Sequence, residues 1–269
     1  MKRRVILFVR TMLARAYPRV IGLWREPSWM LQETLMPMLS VAAFVYVYRA
    51  MHAPEEFTGF VILGGAMTAF WLNVLWAMGA QLYWERDSGN LELFIIAPGS
   101  LMAVLAGMAL GGMVMTFVRA AVILIAGVLL FDVSFVPSNW WALAAVFLLT
   151  MAALYGLGMV FASTFLMWGR EAWHTVNLLQ EPVYLLSGLN YPVRTLGPVA
   201  YLAAVLPLTI GMDSMRQILF PDADGLLDLP WEVGLLAVMG VLFIELARRS
   251  LGYLERRARE EGRLTMKWQ

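Results

Sequence analysis

The chain has 269 residues, 61% hydrophobic and 14% charged, with a formal net charge of +1 and no cysteine. That balance excludes an ordinary soluble domain, and the missing thiols exclude disulfides, thiolate metal sites and a cysteine nucleophile. A lipid bilayer is the expected solvent, and 11 Trp and 9 Tyr suit its boundaries with water.

Residues 3–17 set Val5, Phe8, Val9, Met12, Leu13 and Ala16 at helical spacing, with Arg3, Arg4, Arg10, Thr11 and Arg15 opposite. The pattern predicts an amphipathic helix, either lying in the membrane interface or packed on a partner, and ended by Pro18. Arg10, Arg15 and Arg19 interrupt any apolar core behind Lys2, Arg3 and Arg4, so a signal peptide is not expected. Apolar stretches then fall at 29–50, 58–81, 99–131, 139–168, 173–190 and 231–250. A crossing takes about 20 apolar residues, because a helix pairs its own backbone groups in lipid. Six spans are therefore expected, the third and fourth long enough to demand tilt, a break or protruding ends.

Basic residues orient these spans. Lys2, Arg3, Arg4, Arg10, Arg15, Arg19 and Arg25 precede the first, while Arg248, Arg249, Arg256, Arg257, Arg259, Arg263 and Lys267 follow the last. Both ends are expected in the cytoplasm, which demands an even number of crossings and places Arg86 and Arg170 inside as well. The opposite side would hold Glu55, Glu56, Asp132, Asp222, Asp224 and Asp228, with Arg49, Arg194 and Arg216 among few basic residues. The whole of 1–269 reads as one transmembrane domain, all-α: an interfacial helix within 1–25, a six-span region over 29–250 and a basic tail at 251–269.

Between the second and third stretches, WERDSGNLELFIIAPGS joins Glu85, Arg86, Asp87 and Glu92, which need water or a partner, to Leu91, Leu93, Phe94, Ile95 and Ile96, which need burial. A short amphipathic element near 85–96 satisfies both, capped by Asp87 or Ser88, turned at Gly89 and stopped by Pro98. It could dock on a partner or lie on the membrane surface. Further on, EPVYLLSGLNYPVRTLGP runs from Glu181 to Pro198 and leads to Pro207. Two apolar pieces, 183–190 and 196–210, flank a Gly/Asn/Pro turn and are each too short to cross. A re-entrant hairpin near 188–212, with Gly188, Pro192, Pro198 and Pro207 as its corners, or a plain external loop with a surface helix, accounts for them. Broken backbone at membrane depth needs protein or a wet cavity around it, so Tyr184, Ser187 and Asn190 become candidate path residues.

Charges within apolar sequence are Glu33, Arg119, Glu181 and Glu245. An arginine at a span centre costs about 2.5–3.5 kcal/mol, so Arg119 should face water, protein or an acid, and Glu181 is the expected partner. A purely structural ion pair or snorkelling is the other reading. Phe70, Trp71, Trp76, Tyr155, Phe161, Phe165, Trp168, Trp173 and Tyr184, together with 19 Met, could line an apolar pocket or simply pack. His52 and His174 are expected on opposite sides of the membrane, and neither a phosphate-binding loop nor a G-x-S-x-G motif is present.

The two segments together resemble the permeases of type-2 ABC exporters. In that family the loop after the second span carries a comparable run, here Glu85, Arg86, Gly89, Leu91, Glu92, Leu93, Pro98 and Ser100, with Asn90 where Thr is usual. The fifth span of the family runs into a proline-bounded re-entrant hairpin, matched in order by Leu186, Ser187, Gly188, Pro192, Pro207, Leu208, Thr209 and Arg216. Here Leu196-Gly197-Pro198 replaces the family's more usual Leu-Pro. The resemblance implies that Glu85 to Leu93, including Asp87 and Ser88, form a coupling helix seated in a separate ATPase subunit. It also implies a second permease copy or a related permease, with ATP and Mg on the ATPase and no cofactor on this chain. A drug-like or lipidic amphiphile is the expected cargo. A lipid-linked polysaccharide or an ion is the alternative within the family, and a non-transporting receptor or assembly factor the alternative outside it.

Overall fold

Long apolar stretches separated by Gly, Pro and charged punctuation produce helices with tight joints, and no strand occurs among the described residues. The computed structural model describes residues 2–25, 27–168, 171–220 and 224–261. Arg170, Asp222, Arg263 and Lys267 lie outside them, as do the side chains of Trp168, Trp173 and Arg259. Helix α1 covers Lys2–Arg25, α2 Pro27–Ala50 and α3 Glu56–Leu72. A π-helical segment, Asn73–Gly79, carries α3 into α4, Gln81–Asp87, and α5 follows at Asn90–Ile96. The longer α6 is Leu101–Phe131, α7 Trp140–Trp168 and α8 Glu171–Leu186. After a 3-10 turn at Val193–Leu196 come α9, Val199–Ala203, α10, Pro207–Leu219, and α11, Leu229–Glu261.

Five helical stretches among the described residues are long and apolar enough to cross a bilayer: Met30–Ala50, Glu56–Asp87, Leu101–Phe131, Trp140–Leu166 and Leu229–Arg257. The long stretches do not break. At 1.5 Å per residue, the 31-residue α6 measures about 46 Å against a hydrocarbon core of about 30 Å, which leaves tilt or protruding ends. The expected crossing at 173–190 is not among the five. It forms the 16-residue α8, about 24 Å long, and then turns at Gly188, whose φ of 63° ends the helix.

Buried Phe70, Trp71, Leu105, Met108, Leu154 and Phe165 fill the centre, where α3, α6 and α7 meet. Four of the aromatic residues singled out as possible pocket lining, Phe70, Trp71, Tyr155 and Phe165, therefore belong to the core. At the π-helical segment the wider turn presents Asn73 and the Ala77 carbonyl sideways. Tyr155 donates to Asn73 Oδ1 at 3.1 Å, and Arg19 donates to the Ala77 oxygen at 2.7 Å.

Pro18 does not end α1, which continues to Arg25. Contacts of Ala16 and Arg19 with α6, on either side of the proline, offset the loss of the backbone bond that it removes. Helix α1 lies along α6, where Gly107 and Gly111, with Gly99 just ahead of the helix, leave room for Thr11, Met12, Ala16 and the stems of Arg15 and Arg19. This spacing of small residues lets two backbones approach closely. A Cβ at Gly107 would collide with the Met12 carbonyl, so Gly107→Leu is expected to lift α1 from α6 at a cost of about 1–3 kcal/mol. Faster trypsin cleavage after Arg15 and Arg19 would report the release; an unchanged digestion pattern would contradict the docking.

Candidate functional site

The α4–α5 elbow divides its side chains between two faces. Glu85 is only 5% exposed and forms an ion pair with Arg15 of α1. Its carboxylate also accepts from Gln81 Nε2 at 2.8 Å and Asn90 Nδ2 at 3.1 Å. Leu91 is buried, and the Arg15 guanidinium lies 5.0 Å from the centre of the Phe94 ring. Arg86 reaches across to the Leu166 carbonyl of α7 at 3.1 Å. Asp87, Ser88, Gly89, Asn90 and Glu92 are exposed, as are Leu93 at 65% and Ile96 at 81%.

Gly89, with φ of 79°, supplies the left-handed corner between α4 and α5. The expected side-chain cap is absent: Gly89 itself occupies the cap position, Ser88 donates back to the Trp84 carbonyl at 2.9 Å, and Asp87 points outward. Helix α5 stops at Ile96, where Ala97 turns extended ahead of Pro98. Ser100 then caps α6 by accepting from the Ala103 N–H at 3.2 Å.

Arg119 pairs with Glu33 of α2 instead of Glu181 and also donates to Thr116 Oγ1 at 3.3 Å. Glu181 lies exposed on α8, close to Gln180, whose amide oxygen accepts from Trp76 Nε1 at 2.8 Å. The other candidates stand on α8 or just past its end. Tyr184 is half-buried, and Ser187 is buried with a hydroxyl that has no partner among the described residues. Asn190 accepts through its carbonyl from Tyr48 at 2.8 Å. Because Glu33 is partly exposed, Glu33→Ala should cost more than the roughly 1 kcal/mol of a surface pair and less than the 3–5 kcal/mol of a buried one. Glu181→Ala should leave the thermal midpoint unchanged. Equal shifts in the two variants would refute this pairing.

Past Ser187 the chain turns back along the bundle. Gly64 of α3 abuts the Leu189 carbonyl so closely that a Cβ there would collide with it. Pro192 and Arg194 lie beside Glu56 and Phe57, at the start of α3, and Arg194 pairs with Asp224 at 3.1 Å. Helix α9 follows Pro198, and Pro207 opens α10, whose Gly211 packs on Thr150 of α7. Ser138, near the start of α7, donates to the Ile218 carbonyl at 2.9 Å. The path from Ser187 to Leu219 is thus a folded hairpin between α3 and α7.

Arg216 pins this hairpin. At 2% exposure it donates to the carbonyls of Tyr191 at 2.9 Å, Leu189 at 3.1 Å and Phe60 at 3.4 Å, and lies 4.9 Å from the Phe60 ring centre. Two buried acids were not anticipated. Asp213 accepts from the Leu226 N–H at 2.6 Å, while Glu232 accepts from Ser214 Oγ at 2.6 Å and the Leu227 N–H at 3.2 Å. Together they tie α10 to α11 and the loop between. Asp213 stands in the apolar run from Ile210 to Met215, which is the signal that could have found it. Glu245 instead makes surface pairs with Arg248 at 3.1 Å and Arg249 at 2.8 Å.

Arg19 is the other basic group drawn inward. Burial, and then the adjacent Arg15 charge, lowers its pKa from the ordinary arginine value. Its guanidinium is satisfied by neutral oxygens, those of Ala77 and Gln81.

Several membrane-spanning helices, an exposed elbow between two of them and a pinned hairpin define a multi-pass membrane protein. The family model of the ABC-2 type transporter matches residues 9–220, and the chain belongs to that family of ABC transporter permeases. It is also similar to the "Probable multidrug ABC transporter permease YbhR" of Escherichia coli K12 and to the protein of the same name in Escherichia coli O157:H7. Identity to each is 28% over 153 residues, which covers 55% of this chain and only 39% of the relative's length.

Proposed function

We propose that this chain is the permease subunit of an ATP-driven exporter of amphiphilic, drug-like or lipidic molecules, powered by a separate ATPase subunit. The observation that carries the reading is the family match over 9–220, which contains both the elbow and the hairpin. The chain sits in the cytoplasmic membrane with both termini inside, and α8 serves as a sixth, short crossing completed by the hairpin. Helix α8 leaves His174, Asn177 and Glu181 exposed beside Leu178 and Leu185. A carboxylate at membrane depth needs water or protein, so this face suits a path shared with a second permease copy. The relatives' names mention multidrug transport, which favours amphiphilic cargo over a polysaccharide or an ion.

In this reading α5 is the part that the ATPase grips. Glu92, Leu93 and Ile96 supply the contact, Gly89 the corner, and Glu85 with Arg86 the link that passes the push into α1 and α7. Leu93→Asp combined with Ile96→Asp should lower recovery of the ATPase with the tagged chain at least about tenfold, equivalent to 1.4 kcal/mol. The permease's own thermal midpoint should hold. Undiminished recovery would show that the elbow is not the dock.

A further inference from the structure

A cavity of about 720 Å3 opens between the second half of α1, the first half of α2, the π-helical segment and the middle of α6. This is within the range of about 300–1,000 Å3 that small-molecule sites occupy. Its wall is mostly apolar, supplied by Met30, Met36, Leu72 and Met115, with Trp76 and Trp84 along one side. Three charges also face it: Arg19, Glu33 and Arg119. Glu33 is matched to Arg119, and Arg19 has no carboxylate within ion-pairing distance among the described residues. The nearby Glu85 is taken by Arg15, Gln81 and Asn90. Two guanidiniums against one carboxylate leave the wall with one uncompensated positive charge in apolar surroundings. Arg119 is only 6% exposed, and its Nε has no hydrogen-bond partner among the described residues. The Arg19 charge, drawn inward without a carboxylate partner among the described residues, is costly without a counter-ion.

We infer that this cavity binds an anionic amphiphile, one negative headgroup against Arg19 and Arg119 with its chain along the methionines. Flexible thioethers accommodate an irregular alkyl chain. The mouth is open: Met36 and Trp84 are exposed at its rim, and a Cβ at Gly22 would meet nothing within 4 Å. The inference does not depend on the exporter reading. The same chemistry fits a resident anionic phospholipid or the molecule being carried.

Photolabelling of the full chain in phosphatidylcholine nanodiscs tests this without ATP. The probes are palmitic acid bearing a diazirine, and the alcohol and amine of equal chain length. The carboxylate probe should label peptides containing Met30, Met36 and Met115 at least about tenfold more than the other two, the ratio that 1.4 kcal/mol produces. Gly22→Trp, whose Cβ meets nothing within 4 Å, should obstruct the mouth and abolish that preference, and Arg19→Gln should weaken it. Equal labelling by the three probes, or selective labelling that survives Gly22→Trp, would overturn the inference. With the ATPase bound, a fall in labelling on ATP addition would identify the occupant as cargo, and constant labelling would identify a resident lipid.

Discussion

Glu85→Ala is expected to destabilise the protein by about 2–4 kcal/mol, because it leaves a half-buried Arg15 without its counter-charge. The side chains of Gln81 and Asn90 lose their acceptor in the same step. Glu92→Ala, on the exposed side of α5, should stay within roughly 0.5 kcal/mol of the parent. The two acids look equivalent as members of one charged loop, yet one closes the joint between α1 and α4 while the other faces outward. Thermal unfolding in detergent separates them. If the proposed coupling role holds, Glu92→Ala should also lower ATPase binding in a protein that remains folded, and Glu85→Ala should lose binding only along with the fold. A stable Glu85→Ala protein that fails to bind would instead make Glu85 a direct contact.

Arg216→Gln should be the second severe substitution. Three backbone carbonyls lose a charged donor at once, and leaving each unsatisfied costs about 1–3 kcal/mol, so a total of at least about 3 kcal/mol is expected. Damage should concentrate at the hairpin. Ser187→Cys places a single thiol in a chain that has none, at a buried position. That thiol should be protected from a membrane-impermeant maleimide in the parent and become reactive beside Arg216→Gln. Arg216→Lys keeps the charge but has no fork of donors, and should restore protection in part. A thiol equally protected in all three backgrounds would contradict the pinning role.

Much of the helical layout was legible because apolar length and punctuation report directly on membrane helices. The stretches at 29–50, 58–81, 99–131, 139–168 and 231–250 correspond to the five described helical stretches long and apolar enough to cross, and Gly89 stands at the corner between α4 and α5 as its residue type predicts. Four features were not legible, each for a physical reason. Pro18 reads as a helix end from local chemistry, whereas packing of α1 on the glycines of α6 carries the helix through it. Glu181 was the expected partner of Arg119 because both interrupt apolar sequence, but pairing depends on which helices are neighbours, and α2 is the one that meets α6 there. The loop 84–100 mixes inward Glu85 and Leu91 with outward Glu92 and Leu93, a division that only the angle between α4 and α5 determines. Likewise, no local pattern announces the π-helical segment, whose widened turn is filled by Arg19 from a different helix.

The most direct test of the exporter reading is purification of the tagged chain from its native membrane in mild detergent, with mass spectrometry of stoichiometric partners and an ATPase assay on the complex. The account predicts a Walker-motif protein at one copy per permease and ATP hydrolysis by the complex. Repeated recovery of this chain without such a partner, from a well-solubilised and folded preparation, would contradict it.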